Sequence, residues 1–362
     1  MNKLPAFNFP SRKILDAVNP LLAKIKGFLP EEKPRTTVGL DIGTTSVKLV
    51  QVQRIGKELQ ITAYGIAAIK NGDREEAIKK LFAECCIFEK EVNIAISGHG
   101  VVLRYLSMPK VPPAELKASI IFEADKHIPF PIAEVVVDCY TIKDLPKENK
   151  SLVLLAAAKK DFIEQRLALL NKLGLSAGVV SVDAVALANV FNVLWASDNL
   201  DQTVGLLSIG GAFSSLNLID SGVPLFTRDI FIGGEDITKR IMNQFGMDMP
   251  AAQKLKTSAE KDAQRIIASC ETILSNLVTE IRFSFDYFET EYNLPISVLY
   301  LTGGSAYLPG LDNHLQQGLG IKVEAWNPLA RLKSGPQVQR ESLEKDANLL
   351  GVALGLALYG ND

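Results

Sequence analysis

The chain has 362 residues, 47% apolar and 22% charged, enough for a large core and two lobes of ordinary globular composition. Its net charge of -2 gives no overall basic footprint for nucleic acid, and no apolar run approaches the roughly 18 residues that span a bilayer. Cys85, Cys86, Cys139 and Cys270 form no C-x-x-C pair, and His99, His127 and His314 stand apart from any Ser or Cys signature, so a zinc site, a disulfide framework and a hydrolase triad are all disfavoured.

Residues 1–35 differ from the rest of the chain. Pro5, Pro10, Pro20, Pro30 and Pro34 punctuate them, and Ile14, Leu15, Val18, Leu21, Leu22, Ile25 and Leu29 recur at helical spacing among lysines and Arg12. Pro20 divides or kinks such a helix. A basic amphipathic helix over 12–29 suits contact with an anionic membrane surface or a partner, and equally suits packing on its own domain.

Globular sequence begins near Thr36. Val38, Leu40 and Ile42 alternate as a strand, Gly43-Thr44-Thr45 turns, and Val47–Val50 and Leu59–Ala63 begin two more strands. A helix is expected over Asp73–Phe88 and a short buried strand over Asn93–Ser97. Between about 97 and 178 the pattern reads as strands at Val101–Met108, Val135–Ile142 and Leu152–Ala158. Two helices join them, one opened by Pro112-Pro113 and one over Asp161–Leu173 stopped by Gly174. Further on, Ile266, Cys270, Ile273, Leu277, Ile281, Phe285 and Phe288 predict one long helix over Ala263–Tyr292, and Leu349–Tyr359 a core helix.

The chain also repeats itself. Thr37-Val38-Gly39-Leu40-Asp41-Ile42-Gly43 is echoed, with one extra residue, by Thr203-Val204-Gly205-Leu206-Leu207-Ser208-Ile209-Gly210. In both copies a strand enters a glycine turn and leaves as another strand. A third glycine turn, Thr302-Gly303-Gly304-Ser305, ends the strand Val298–Leu301 and leads through Leu308 into a helix.

Such turns present backbone N–H groups to an anion, and Thr44, Thr45 and Ser46 add hydroxyls. Asp41 at the strand end would repel a bare phosphate. It fits if Mg²⁺ and its waters lie between. There is no G-x-x-x-x-G-K-[ST] and no G-x-G-x-x-G after the first strand, which disfavours a P-loop and a dinucleotide fold.

The three turns, in this order, resemble the phosphate 1, phosphate 2 and adenosine motifs of the actin, Hsp70 and sugar-kinase superfamily. Val38–Leu49, Ile94–Gly98, Glu123–Phe130, Val182–Asn189, Arg228–Ile230, Ile232–Thr238 and Leu301–Leu311 narrow the resemblance to the PilM family of type IV pilus assembly proteins, relatives of the cell-division protein FtsA. The resemblance implies an α/β, actin-like, duplicated ribonuclease H-like two-lobed fold with an FtsA-type inserted subdomain. The implied division is 1-35 extension, 36-96 first-lobe core, 97-178 inserted subdomain and 179-202 connector. It continues with 203-230 second-lobe core, 231-297 its outer subdomain, 298-334 the rest of that core and 335-362 a closing helix.

The resemblance further implies ATP and Mg²⁺ as ligands. The nucleotide would lie on Asp41, Gly43, Thr44, Thr45, Ser46 and Lys48, on Ser208, Gly210, Gly211 and Ala212, and on Gly303, Gly304, Ser305 and Leu308. Asp41 would hold the metal through water, and Glu280, Arg282 and Ser284 would lie on the adenine side. One departure matters: Ser208 stands where the superfamily places an acid in the second turn. A hydroxyl cannot supply the charge that holds Mg²⁺ and polarises water, so hydrolysis is expected to be slow or absent.

The implied partners are the cytoplasmic N-terminal peptide of PilN and the pilus motor ATPases, with self-assembly into a ring or platform. The implied place is the cytoplasmic face of the inner membrane, in a system that drives twitching motility. Asn2-Lys3-Leu4-Pro5 is similar to the Asn-Leu-Leu-Pro type of PilN segment, either by accident or as a self-competing tail. A small-molecule kinase of the same superfamily is the competing reading, although no base in a recognisable setting supports it.

Overall fold

A three-stranded meander starts the described chain. β1 (Arg35–Ile42), β2 (Ser46–Ile55) and β3 (Glu58–Ala68) pair antiparallel. The computed structural model describes residues 35–56, 58–195, 201–258 and 262–360, so the expected helix over 12–29 and the Asn2–Pro5 likeness lie outside the described residues.

After β3, α1 (Arg74–Glu84) begins at Asp73, whose carboxylate accepts the Glu76 N–H at 2.9 Å. The helix stops four residues short of the Phe88 that periodicity suggested. Cys86 adopts φ 53°, in the left-handed region, which swings Ile87 back into the core. β4 (Glu91–Ile96) then lies parallel beside β1.

The chain next leaves the sheet. β5 (Val101–Pro109), α2 (Pro113–His127), β6 (Val135–Leu145) and β7 (Lys150–Lys159) build a separate three-stranded antiparallel sheet, ordered β5-β7-β6, and α3 (Lys160–Lys172) then leads back to the first-lobe core, where Leu170 packs with Leu40, Ile78 and Ile94. Leu116, Ile120 and Ala124 recur on one face of α2 and bury against Val153 and Leu155 of β7. β8 (Ser176–Val182) returns to pair with β4, and α4 (Asp183–Leu194) comes directly after it.

The second lobe repeats the first. β9 (Thr203–Ile209), β10 (Ser214–Asp220) and β11 (Val223–Ile230) form another meander. α5 (Gly234–Phe245), α6 (Met249–Ser258), α7 (Ala263–Ser269) and α8 (Glu271–Tyr292) cover it before β12 (Ile296–Thr302), α9 (Leu311–Leu319) and β13 (Lys322–Ala325). The sheet order β11-β10-β9-β12-β13 matches β3-β2-β1-β4-β8 strand for strand, with the last two strands parallel to the first in both. The duplication read from two glycine turns thus extends to whole sheets. β14 (Lys333–Ser334), α10 (Arg340–Asp346) and α11 (Gly351–Ala357) then return to the first lobe.

The long helix expected over Ala263–Tyr292 is two helices. The Cys270 N–H bonds to both Ile266 and Ile267 carbonyls, tightening the turn, and α8 restarts there. The apolar stripe still faces one core, with Leu277, Ile281 and Phe288 packed under β9 and β10. Glu280 and Ser284 do not face the cleft: Arg228 of β11 bonds to both of them.

Between the lobes, α4 and α11 cross with Val204, Leu206 and Trp326 in a shared apolar cluster. The crossing depends on Gly39. A β-carbon there would lie 1.9 Å from the Ala353 carbonyl oxygen, so any side chain would push α11 off β1. Among the described residues no helix is long and apolar enough to cross a membrane.

Candidate functional site

The two repeated hairpins point their turns at each other. In the first, the Gly43 N–H closes the turn on the Ser46 carbonyl at 3.1 Å, leaving Thr44 and Thr45 exposed at its tip. Antiparallel register sets Lys48 opposite Asp41, and its Nζ lies 3.0 Å from the carboxylate. Both side chains are largely buried, so this pair is poorly screened and stronger than a surface pair.

In the second hairpin the Gly210 N–H bonds to the Phe213 carbonyl at 3.0 Å. The N–H groups of Gly234 and Glu235, at the start of α5, bond back to the Gly210 and Gly211 carbonyls at 2.8 and 2.9 Å. This fixes the second turn to the outer helices. Across the cleft, a β-carbon on Gly211 would lie 2.4 Å from the Thr44 hydroxyl. Glycine is what lets the turns approach this closely.

The third turn closes the wall. Gly303 has φ +88°, and a β-carbon there would lie 2.6 Å from the Ile209 carbonyl. Its N–H bonds to the Asn348 carbonyl at 2.8 Å, which ties the turn to the segment entering α11.

These elements surround one cavity of about 160 Å³. The structure brings Asp41, Gly43, Thr44, Thr45 and Lys48 to it from the first turn. Ser208, Gly210, Gly211 and Ala212 come from the second, and Gly303 and Gly304 from the third. It does not bring Ser46, Ser305 or Leu308 into the lining. Ser46 closes its own turn, Leu308 is buried in the second-lobe core, and Ser305 is buried behind Gly304.

Several groups in or beside the cavity carried no role in the sequence reading. Asp183, the first residue of α4, lies in the lining with its surface turned to the cleft. Burial, then the nearby Asp41 carboxylate, pushes its pKa up to about 7, against the pull of Ser97 and Lys48. Ser215 stands opposite Ser208 in the ladder, is 3% exposed and lines the cleft too. Asp229 pairs with Ser215 in register, and burial raises its pKa. Behind Gly234, the Lys256 ammonium is 3% exposed and donates to the Gly234 carbonyl at 3.0 Å; burial lowers its pKa to about 8. The signal for Asp183 was an acid in the first turn of a helix that comes directly after a strand. Nothing local marked it as facing the phosphate turns, because β8 and β1 are far apart in sequence.

A phosphate chain with a divalent cation fits this donor set. Thr44 and Thr45 offer hydroxyls across from the second turn, Lys48 offers a cation, and the nearby Asp41 carboxylate adds its repulsion to the burial that disfavours a charged Asp183. That repulsion is what a Mg²⁺ would relieve. Asp41 and Asp183 are the residues that would hold it.

A family model for the type IV pilus assembly protein PilM matches residues 39–361. The chain belongs to the PilM family. A solved "PilM-PilN type IV pilus biogenesis complex" is 29% identical, with a TM-score of 0.82 over 92% of this chain and 100% of that one. The ethanolamine utilization protein EutJ from Carboxydothermus hydrogenoformans shares the fold at 17% identity, with a TM-score of 0.52 over 93% of this chain and 94% of that one. The architecture of this PilM family member is therefore the actin-like, two-lobed α/β fold that the turns suggested. The family assignment disfavours the small-molecule kinase reading, even though Asp183 supplies a cleft carboxylate of the kind a kinase would need.

Proposed function

We propose that this chain is an ATP-binding platform component of the type IV pilus machinery, which binds the cytoplasmic N-terminal peptide of PilN and relays its nucleotide state toward the pilus motor. The observation that carries the nucleotide half is the meeting of the two hairpin turns, Thr44 against Gly211, over Asp41, Asp183 and Lys48. Mg–ATP would bridge the lobes there, with Asp41 and Asp183 on the metal and the turns on the phosphates. Bound metal would supply charge neutralisation of the phosphates. With Ser208 in place of an acid, turnover would be slow, and ATP would act as a signal holding the lobes closed.

The peptide half rests on the solved PilM–PilN neighbour and on a second cavity. This groove, about 450 Å³, lies between the start of α1, the end of β4 and α3. Ile96, Phe162 and Leu169 give it an apolar floor, and Arg74 and Arg166 supply donors for the carbonyls of an extended peptide. Such a protein would sit peripherally on the cytoplasmic face of the inner membrane. Self-association, and membrane contact through 12–29, would strengthen that placement.

The test is fluorescence anisotropy of a labelled PilN N-terminal peptide with the full chain. Saturable binding that Phe162→Asp weakens at least about tenfold supports the reading. Failure of the wild-type chain to bind contradicts it.

A further inference from the structure

The two cavities share a wall. Ser97, just beyond β4, and Arg166, on α3, line both the interlobe cleft and the groove. Arg166 projects from α3, whose Leu170 packs in the first-lobe core, and its Nη2 donates to the Ile42 carbonyl at 3.0 Å, at the mouth of the first hairpin turn. The charges facing it come from both sides. Asp41 and Asp183 attract it from the cleft, and Arg74 on α1 repels it from the groove.

We propose that Arg166 couples the cleft to the groove, so that an extended peptide in the groove and a nucleotide phosphate chain in the cleft each tighten the other's binding. This rests on the proposed peptide and nucleotide binding and names its regulation. A guanidinium carries five N–H donors in a fixed fork, and one bond to Ile42 leaves others to serve each cavity.

Two effects give the coupling its sign. A peptide laid over the groove excludes water from one side of the guanidinium, which strengthens its attraction to phosphate oxygens on the other. The peptide also orders a side chain with several rotatable bonds, so a nucleotide arriving second meets an arm already set. Peptide carbonyls placed between Arg74 and Arg166 relieve the repulsion between those two cations. The bond to Ile42 supplies a direct mechanical link, because that carbonyl belongs to the peptide unit that leads into Gly43. Held in place, Arg166 fixes the orientation of the first phosphate turn.

Linkage requires the factor to be the same in both directions. The experiment is calorimetric titration of the full chain with Mg–ATP, alone and with saturating PilN N-terminal peptide, repeated with peptide as titrant with and without Mg–ATP. The wild-type chain is expected to show at least about fivefold mutual tightening, equal in the two directions. Arg166→Gln is expected to bring the factor below about twofold. Arg166→Lys, which keeps the charge on the same helix and guards against a folding defect, is expected to give an intermediate factor. Independent binding of the two ligands by the wild-type chain overturns the coupling and leaves the proposed function standing. So does full coupling in the Arg166→Gln variant. A wild-type chain that fails to bind the peptide overturns both.

Discussion

Lys48 and Asp41 face each other across the first hairpin, ammonium to carboxylate at 3.0 Å, in the one antiparallel register that sets both side chains toward the cleft. The lysine is also a cation that favours the charged form of Asp183, against burial and the Asp41 carboxylate. Lys48→Met removes it and leaves the two acids facing each other. Mg–ATP affinity is expected to fall about tenfold or more, as loss of one charge-assisted contact of ~1.5–3 kcal/mol implies. Equilibrium titration of the variant checks this.

Asp183 is expected to act through the metal. Asp183→Asn removes one of the two carboxylates placed to hold it, and also removes their mutual repulsion. ATP affinity in Mg²⁺ should drop, whereas affinity in EDTA should hold or improve. The readout is the ratio of the two constants; a ratio equal to that of the wild-type chain would place Asp183 away from the metal.

Ser208→Asp puts an acid back into the second turn, opposite Ser215 and facing the cleft. If the missing charge limits turnover, steady-state phosphate release should rise at least about a hundredfold, the lower end of typical acid–base contributions. An unchanged rate would move the limit from that residue to lobe closure or product release.

Lys256 sets a pH dependence. Its folded pKa, about 8, lies below its ordinary value of 10.5 because burial penalises the ammonium. Below about 8 the lysine is charged in both the folded and the unfolded chain, and the folded state carries the whole penalty. Between about 8 and 10.5 the unfolded chain holds more protons, so stability rises with pH over that window. Lys256→Met lacks this slope, and the Gly234 carbonyl keeps its bond from the Thr238 hydroxyl at 2.7 Å. The variant should therefore exceed the wild-type Tm most at pH 7 and lose that lead by pH 10. Parallel melting curves across the range would contradict the assignment.

Much of this fold was legible in sequence because it is local. Alternation in Val38–Ile42 and its echo in Val204–Ile209 located two hairpins, and the structure extends the echo to matching sheets. Helix ends were less legible. The left-handed turn at Cys86 and the break at Cys270 have no glycine or proline to announce them. The cleft was half legible. Residues in the glycine turns could be read from their own neighbourhoods. Asp183, Ser97 and Arg166 come from the start of α4, the end of β4 and the middle of α3, and topology alone brings them together. Ser305 shows the converse: it lies next to a site glycine in sequence, yet the single turn Gly304–Tyr307 carries it inward, and Leu308, just beyond that turn, is buried in the second-lobe core.

The central claim is that ATP is held where the two turns meet. Calorimetric titration of Mg–ATP into the full chain and into Gly211→Val tests it most directly, because the valine side chain would occupy the space against Thr44 and Thr45. The account predicts one ATP per wild-type chain, and an affinity at least about thirtyfold weaker in the variant, equivalent to a loss of ~2 kcal/mol. Equal affinity in the two proteins, or no binding by the wild-type chain, would contradict it.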